Sequence, residues 1–161
     1  MEIVDMRPLA NIEDFILVYP QGSLLGNTSH WNSCPPIENN KSLVDDFGFI
    51  EKMITQIISK YNVDRERIYA IGYSNGGMMA YGLAHYKSEL IAGIASVSGV
   101  MLDCFGTTNH PMPIIHLHGT LDFVLPQSTR RMSANDNGRS ISRASIYGFP
   151  FSCIEALGVV P

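Results

Sequence analysis

The chain has 161 residues, a formal net charge of −4, 45% hydrophobic residues and only 16% charged ones. That length and apolar content suit one globular domain with a core of its own. The acidic balance gives no electrostatic footprint for nucleic acid or an anionic membrane. No apolar run approaches the ~18 residues of a membrane span, and the opening MEIVDMRPLANIED lacks the basic start and apolar centre of a secretory leader.

In chain order, FILVYP (15–20) is a compact apolar run ended by proline, which predicts a short buried strand. Residues 21–40 are rich in Gly, Ser, Asn and Pro and read as a long surface loop. Leu43, Phe47, Ile50, Ile54, Ile57 and Tyr61 then recur at steps of three and four, the spacing of one helix face. Ser42 is the expected N-cap, with Asp45 and Asp46 in the first turn and Lys60 in the last. RIYAI (67–71), IAGIASVS (91–98) and PIIHLHG (113–119) predict three further strands, with a helix over 75–86 between the first two of them. Strands alternating with helices of this length predict an α/β class with parallel pairing, about four strands in the sheet, and a site at the strand C-termini. From Gln127 onward, QSTRRMSANDNGRSISRAS shows neither a helical nor a strand period. The expected organisation is a domain over 1–126 and an irregular tail over 127–161, with at most a weak terminal strand or helix.

Cys34, Cys104 and Cys153 have no metal-like spacing. One disulfide with a leftover thiol and three free thiols both fit the sequence. No metal and no cofactor is expected.

The chemistry centres on IYAIGYSNGG, where Gly72-Tyr73-Ser74-Asn75-Gly76 spells G-x-S-x-G between a strand and a helix. Three fixed letters alone are a cheap match, but the strand before and the helix after are what a nucleophile elbow requires. A sharp turn there lifts the serine hydroxyl clear of the sheet, and glycines on either side avoid a Cβ that would strike the neighbouring strand or helix. The helix N-terminus carries free backbone N–H groups, so the Asn75 N–H is the natural oxyanion donor beside Ser74.

On VYPQG, WN, VDDFGFIEKMI, YNVDRERIYAIGYSNGGMMAYGLA and PIIHLHGTLDFVLP, the chain resembles the polyhydroxybutyrate depolymerase and feruloyl/acetylxylan esterase group of α/β-hydrolases, over roughly residues 10–126. The resemblance implies serine ester hydrolysis of a small-molecule or polymeric ester through an acyl-enzyme on Ser74. It also implies that Asp122 is the acid that orients a catalytic histidine, and an extracellular setting. Trp31 and the 21–40 loop are weaker candidates for an acyl or aryl pocket, because a lone tryptophan is more often a packing residue.

Two parts that the resemblance calls for are missing. A serine needs a base, and the fold's order is Ser, then Asp, then His; yet His30, His85, His110, His116 and His118 all precede Asp122. For each a structural role is the expectation: His30 and His110 in loops, His85 on the helix pointing away, and His116 and His118 on one face of a strand. No HGGG-type loop precedes Ser74, and the family's strand between those matched by 15–19 and 67–71 is absent, so these two would pair directly or leave an open seam. The reading that follows is an incomplete hydrolase, inactive as written, with a tail of non-native origin. The competing reading is a non-catalytic carbohydrate-binding or interaction protein on the same scaffold; a lipase or peptidase of that architecture is a third.

Overall fold

The computed structural model describes residues 5–35, 41–102, 104–105, 111–119 and 122, with the backbone of 143–144 and 155–159. In chain order the elements are α1 (Arg7–Glu13), β1 (Ile16–Val18), β2 (Ser23–Leu25), β3 (Thr28–His30), α2 (Asp46–Lys60), β4 (Ile68–Tyr73), α3 (Asn75–Tyr86), β5 (Gly93–Val97), β6 (Ile114–Leu117), β7 (Arg143–Ala144) and β8 (Glu155–Val159). The class is α/β, as expected. The sheet, however, has six strands rather than about four, in the order β1-β8-β4-β5-β6-β7.

Its backbone is parallel from β4 through β7, while β8 runs antiparallel to both of its neighbours. Ile68–Gly72 pair with Val159–Glu155 on one side of β8, and Ile16–Val18 pair with Val159–Leu157 on the other. The expected direct pairing of β1 with β4, or an open seam, therefore does not occur. A seam of bare N–H and C=O groups costs ~1–3 kcal/mol for each buried group left unpaired. The strand from the tail supplies those partners. Residues 143–144 and 155–159 thus depart from the expected irregular tail, and β1 is held to the sheet through β8.

Helix α2 forms because Phe47, Ile50 and Ile54 return to one face and are all buried. Its N-cap is Asp45, whose side chain accepts the Gly48 N–H at 2.9 Å, and not Ser42, which instead accepts the Val44 N–H at 3.1 Å. Leu43 lies outside the helix and is exposed. Met79, Ala80, Leu83 and Ala84 of α3 share one buried cluster with Phe47, Ile50 and Ile54 of α2 and with Ile68, Ala70 and Ile94 of the sheet. Small residues let this helix approach closely: a Cβ at Gly82 would stand 2.7 Å from the Ser33 carbonyl and 2.9 Å from the Phe47 ring. Full burial of a side chain such as Ile54, 1% exposed, contributes roughly 2–3 kcal/mol. On the opposite face of the sheet, Tyr69 and Ile115 remain 40% and 56% exposed.

The segment 21–40 is not uniformly loop, because β2 and β3 form a hairpin closed by Gly26-Asn27, with Gly26 at φ 64°. After it, residues 31–34 are tied down. The Asn32 N–H donates to Asp46 Oδ2 at 2.7 Å, its side-chain amide donates to the Ser42 and Val44 carbonyls, and Cys34 is disulfide-bonded to Cys104. Of the two cysteine readings, the disulfide is the one formed. Burial pushes the Asp46 carboxyl above the ordinary carboxylate range, against the lowering effect of the Asn32 hydrogen bond.

Candidate active site at the C-terminal edge of the sheet

Strand β4 runs straight into α3 through Ser74, whose backbone sits at φ 51°, ψ −116°. A non-glycine residue in the left-handed region stores on the order of 1–3 kcal/mol and persists only where its surroundings enforce it. Here the surroundings do so on both sides. The Ser74 N–H donates to the Val97 carbonyl of β5 at 2.8 Å, and the Ser74 carbonyl accepts the Met78 N–H at 3.0 Å as the first bond of α3. A Cβ on Gly72 would collide with the Gly76 carbonyl and stand 2.6 Å from the Gly77 nitrogen. One on Gly77 would stand 2.7 Å from Ser96 Oγ and 3.0 Å from the Gly99 Cα. Glycine at 72, expected from the motif, and at 77, expected as extra room for the helix, thus has a steric cause in the fold.

The same step repeats at the next strand. The Ser98 N–H donates to the Leu117 carbonyl at 2.7 Å, and Ser98 itself has φ 49°. Sequence reasoning gave no sign of this second positive φ. The ends of β4, β5 and β6 therefore lie level, with Ser74, Ser98 and His118 along one edge.

Asn75 is the first residue of α3, so its backbone N–H has no partner within the helix. Its side chain binds the backbone of Trp31 twice: Oδ1 accepts the Trp31 N–H at 2.6 Å, and Nδ2 donates to the Trp31 carbonyl at 3.0 Å. The Trp31 ring is 2% exposed and lies against Phe49, with centroids 6.2 Å apart. Burial of that kind favours the packing role over a pocket wall.

The Asp122 N–H donates to the Gly119 carbonyl at 3.2 Å. Its carboxylate lies 3.5 Å from Nε2 of His118, a side chain only 2% exposed. The acid is thus brought to the expected edge of the sheet, but it faces a histidine that precedes it in the chain. His116 occupies the same face of β6, stacked on His118 with ring centroids 5.3 Å apart, and its Nδ1 is 2.9 Å from the Tyr81 hydroxyl. Burial pushes the Tyr81 phenol up to about 12, which keeps it neutral. His116 meets Tyr81 and His118 meets Asp122.

The remaining histidines stand apart. His85 lies at the far end of α3, roughly 16 Å along the axis from Ser74 by helical rise, packed between Tyr86 and Phe105. His30 belongs to β3 and not to a loop, with its basicity lowered by burial and by Lys41. His110 lies outside the described residues. Among the described residues, no group of three or more His, Cys, Asp or Glu is placed to hold a metal ion.

Comparison with known proteins fits this geometry. The sequence profile of the phospholipase/carboxylesterase family of α/β-hydrolases matches residues 29–150. The chain is similar to a bifunctional acetylxylan esterase/xylanase of Neocallimastix patriciarum, 35% identical over 117 residues that make up 73% of this chain and 16% of that protein. It is similar to feruloyl esterase B of Thermothelomyces thermophilus, 33% identical over 59% of this chain and 32% of the relative. It is also similar to acetylxylan esterase A of Talaromyces purpureogenus, 31% identical over 63% of this chain and 26% of the relative. A solved thermostable esterase superposes with a TM-score of 0.47 at 26% identity, over 52% of this chain and 22% of that one. The chain spans from 16% to 32% of the length of these curated relatives.

Proposed function

We propose that this chain, which belongs to the phospholipase/carboxylesterase family of α/β-hydrolases, is a serine carboxylic-ester hydrolase scaffold with Ser74 as the nucleophile. The observation that carries this reading is the enforced backbone of Ser74 between β4 and α3, at φ 51° and flanked by glycines that tolerate no Cβ. The Asn75 N–H is the oxyanion donor and Asp122 the acid of the site. In the reaction, Ser74 Oγ adds to the ester carbonyl, the Asn75 N–H donates to the oxyanion, and the tetrahedral adduct collapses to the acyl-enzyme as the C–O bond to the alcohol breaks and the serine's proton passes through solvent to the departing alcohol. Water then returns the serine and releases the acid. Acyl esters of plant cell-wall material are the favoured substrates, given relatives named acetylxylan and feruloyl esterases; polyesters follow. An extracellular setting is supported by the Cys34–Cys104 bond, since disulfides persist in oxidising compartments.

On this reading no base stands against Ser74 among the described residues. His118, the imidazole beside Asp122, has its Nε2 3.5 Å from that carboxylate. Loss of one triad member leaves roughly 10³–10⁴-fold catalysis over water from the oxyanion hole and binding. Fluorophosphonate labelling of the purified chain should therefore be slow, dependent on Ser74, and should climb steadily with pH. A rapid rate with a plateau near neutrality, abolished in His118→Gln, would show that His118 serves as the base and would overturn the reading of an incomplete site. Complete absence of labelling that Ser74→Ala removes would favour the second reading, a non-catalytic carbohydrate-binding or interaction protein, which the pairing of Asp122 with His118 already suits.

A further inference from the structure

We propose that the side chain of Asn75 is a positioning residue, a clamp that holds the oxyanion donor in its direction by fastening it to the loop 31–34. This inference rests on the reading of Ser74 as nucleophile and of the Asn75 N–H as donor.

The peptide plane between Ser74 and Asn75 carries both the Ser74 carbonyl and the Asn75 N–H. Relaxation of the Ser74 backbone from φ 51°, ψ −116° would rotate that plane and swing the N–H away from the hydroxyl. One hold on the plane is internal to α3, the bond from the Met78 N–H to the Ser74 carbonyl. The other comes from 44 residues away. Both polar groups of the Asn75 amide engage the backbone of Trp31, at 2.6 and 3.0 Å, which fixes the side-chain torsions and with them the residue.

A clamp is only as firm as what it grips. Here the Trp31 ring is 2% exposed, the Asn32 N–H is bonded to Asp46 at 2.7 Å, and Cys34 is covalently joined to Cys104. The chemistry of the clamp requires an amide. A carboxylate accepts but does not donate, so an ionised aspartate would set an oxygen against the Trp31 carbonyl.

The test uses the full chain with Asn75→Ala and Asn75→Asp, read by amide hydrogen exchange and by the rate of Ser74 fluorophosphonate labelling. In Asn75→Ala the Trp31 amide should exchange at least tenfold faster while the Ile94 amide, bonded to the Pro113 carbonyl in the core of the sheet, keeps its protection. The labelling rate should fall at least tenfold. In Asn75→Asp the protection of the Trp31 amide should recover as pH falls through the carboxylate range, because the protonated acid regains a donor; a residue with a merely structural role would show no such pH signature. Trp31 exchange within threefold of wild type overturns the clamp, as does accelerated exchange with unchanged labelling, or protection in Asn75→Asp that stays flat with pH. Loss of the Ile94 protection as well would make the role global and also overturn it. A wild-type chain with no Ser74-dependent labelling overturns the nucleophile reading and the clamp's purpose together. A wild type that labels, beside variants that label equally, overturns the clamp alone.

Discussion

Removal of the Cys34–Cys104 bond by a double change to serine tests the fold where the sequence left it open. The two cysteines are 70 residues apart. In the chain-entropy treatment, closing a loop of that length removes about 15 cal/mol/K from the unfolded ensemble, which is about 4 kcal/mol at 25 °C. With an unfolding entropy of ~2.1 cal/mol/K per residue, 161 residues give about 0.34 kcal/mol/K, so the melting temperature should fall by about 13 °C. The bond also anchors the loop that carries Trp31, so the native state loses rigidity as well and the fall should not be much smaller. The assay is thermal unfolding by circular dichroism without reductant, in a Cys153→Ser background to prevent exchange with the third thiol. Intact mass before and after reduction reports the bond itself through the two protons gained. A melting temperature within about 3 °C of the parent would show that the crosslink is not formed, or that the unfolded chain is already compact there, and would refute the entropy argument.

Gly72→Ala places a methyl group against the Gly76 carbonyl and the Gly77 nitrogen; neither is a flexible side chain, so the expected loss is about 3 kcal/mol or more, seen as failure to fold or a melt lowered by roughly 9 °C. Leu157→Pro removes an N–H from the strand between Val18 and Ala70 and should cost about 3 kcal/mol. Exchange at Leu17 and Val18 should be deprotected first, and an unchanged melt would mean that β8 is not in the sheet. Asp46→Asn keeps an acceptor for the Asn32 N–H while removing a buried charge. Because burial raises the folded-state pKa of Asp46, its contribution falls as pH climbs from the ordinary carboxylate value to the raised one and is constant above. Melting temperatures of variant and parent should therefore agree in acid and diverge toward neutral pH with the variant higher; the opposite slope would refute that account.

What was legible in the sequence follows from how local its cause is. The helix expected over 75–86 is α3, Asn75–Tyr86, because the elbow motif fixes its start and the apolar residues fix its length. The parallel strands were legible as short apolar runs. The hairpin of β2 and β3 was also within reach, since Leu25 and Thr28 flank a two-residue Gly26-Asn27 turn, a recognised hairpin signal outweighed by the polar composition around it. Helix α1 is short and exposed except at Ala10, so its period is faint. Asp45 displaced Ser42 as N-cap because Leu43 and Val44, although apolar, do not enter the helix. The disulfide, the pairing of His118 with Asp122 and the insertion of β8 depend on groups brought together across the chain. No local pattern records them.

The separation between local and distant causes also bears on how such a site is assembled. Apart from the two hydrogen bonds between Asn75 and Trp31, the contacts that enforce the Ser74 turn come from 72–78 and from the adjoining strand end at 96–99, a unit of one strand, one helix and one neighbouring strand. Such a unit folds into its strained geometry wherever β4 and β5 pair, independently of whether a base is present. A general base must instead come from another strand end, and its position depends on the rest of the sheet and on the loops above it. Asp122 is already at that edge, but its carboxylate has settled on the buried His118, the imidazole at hand. The Ser74 geometry is therefore set mostly by its near neighbours, whereas the placement of a proton acceptor for a serine there depends on distant segments.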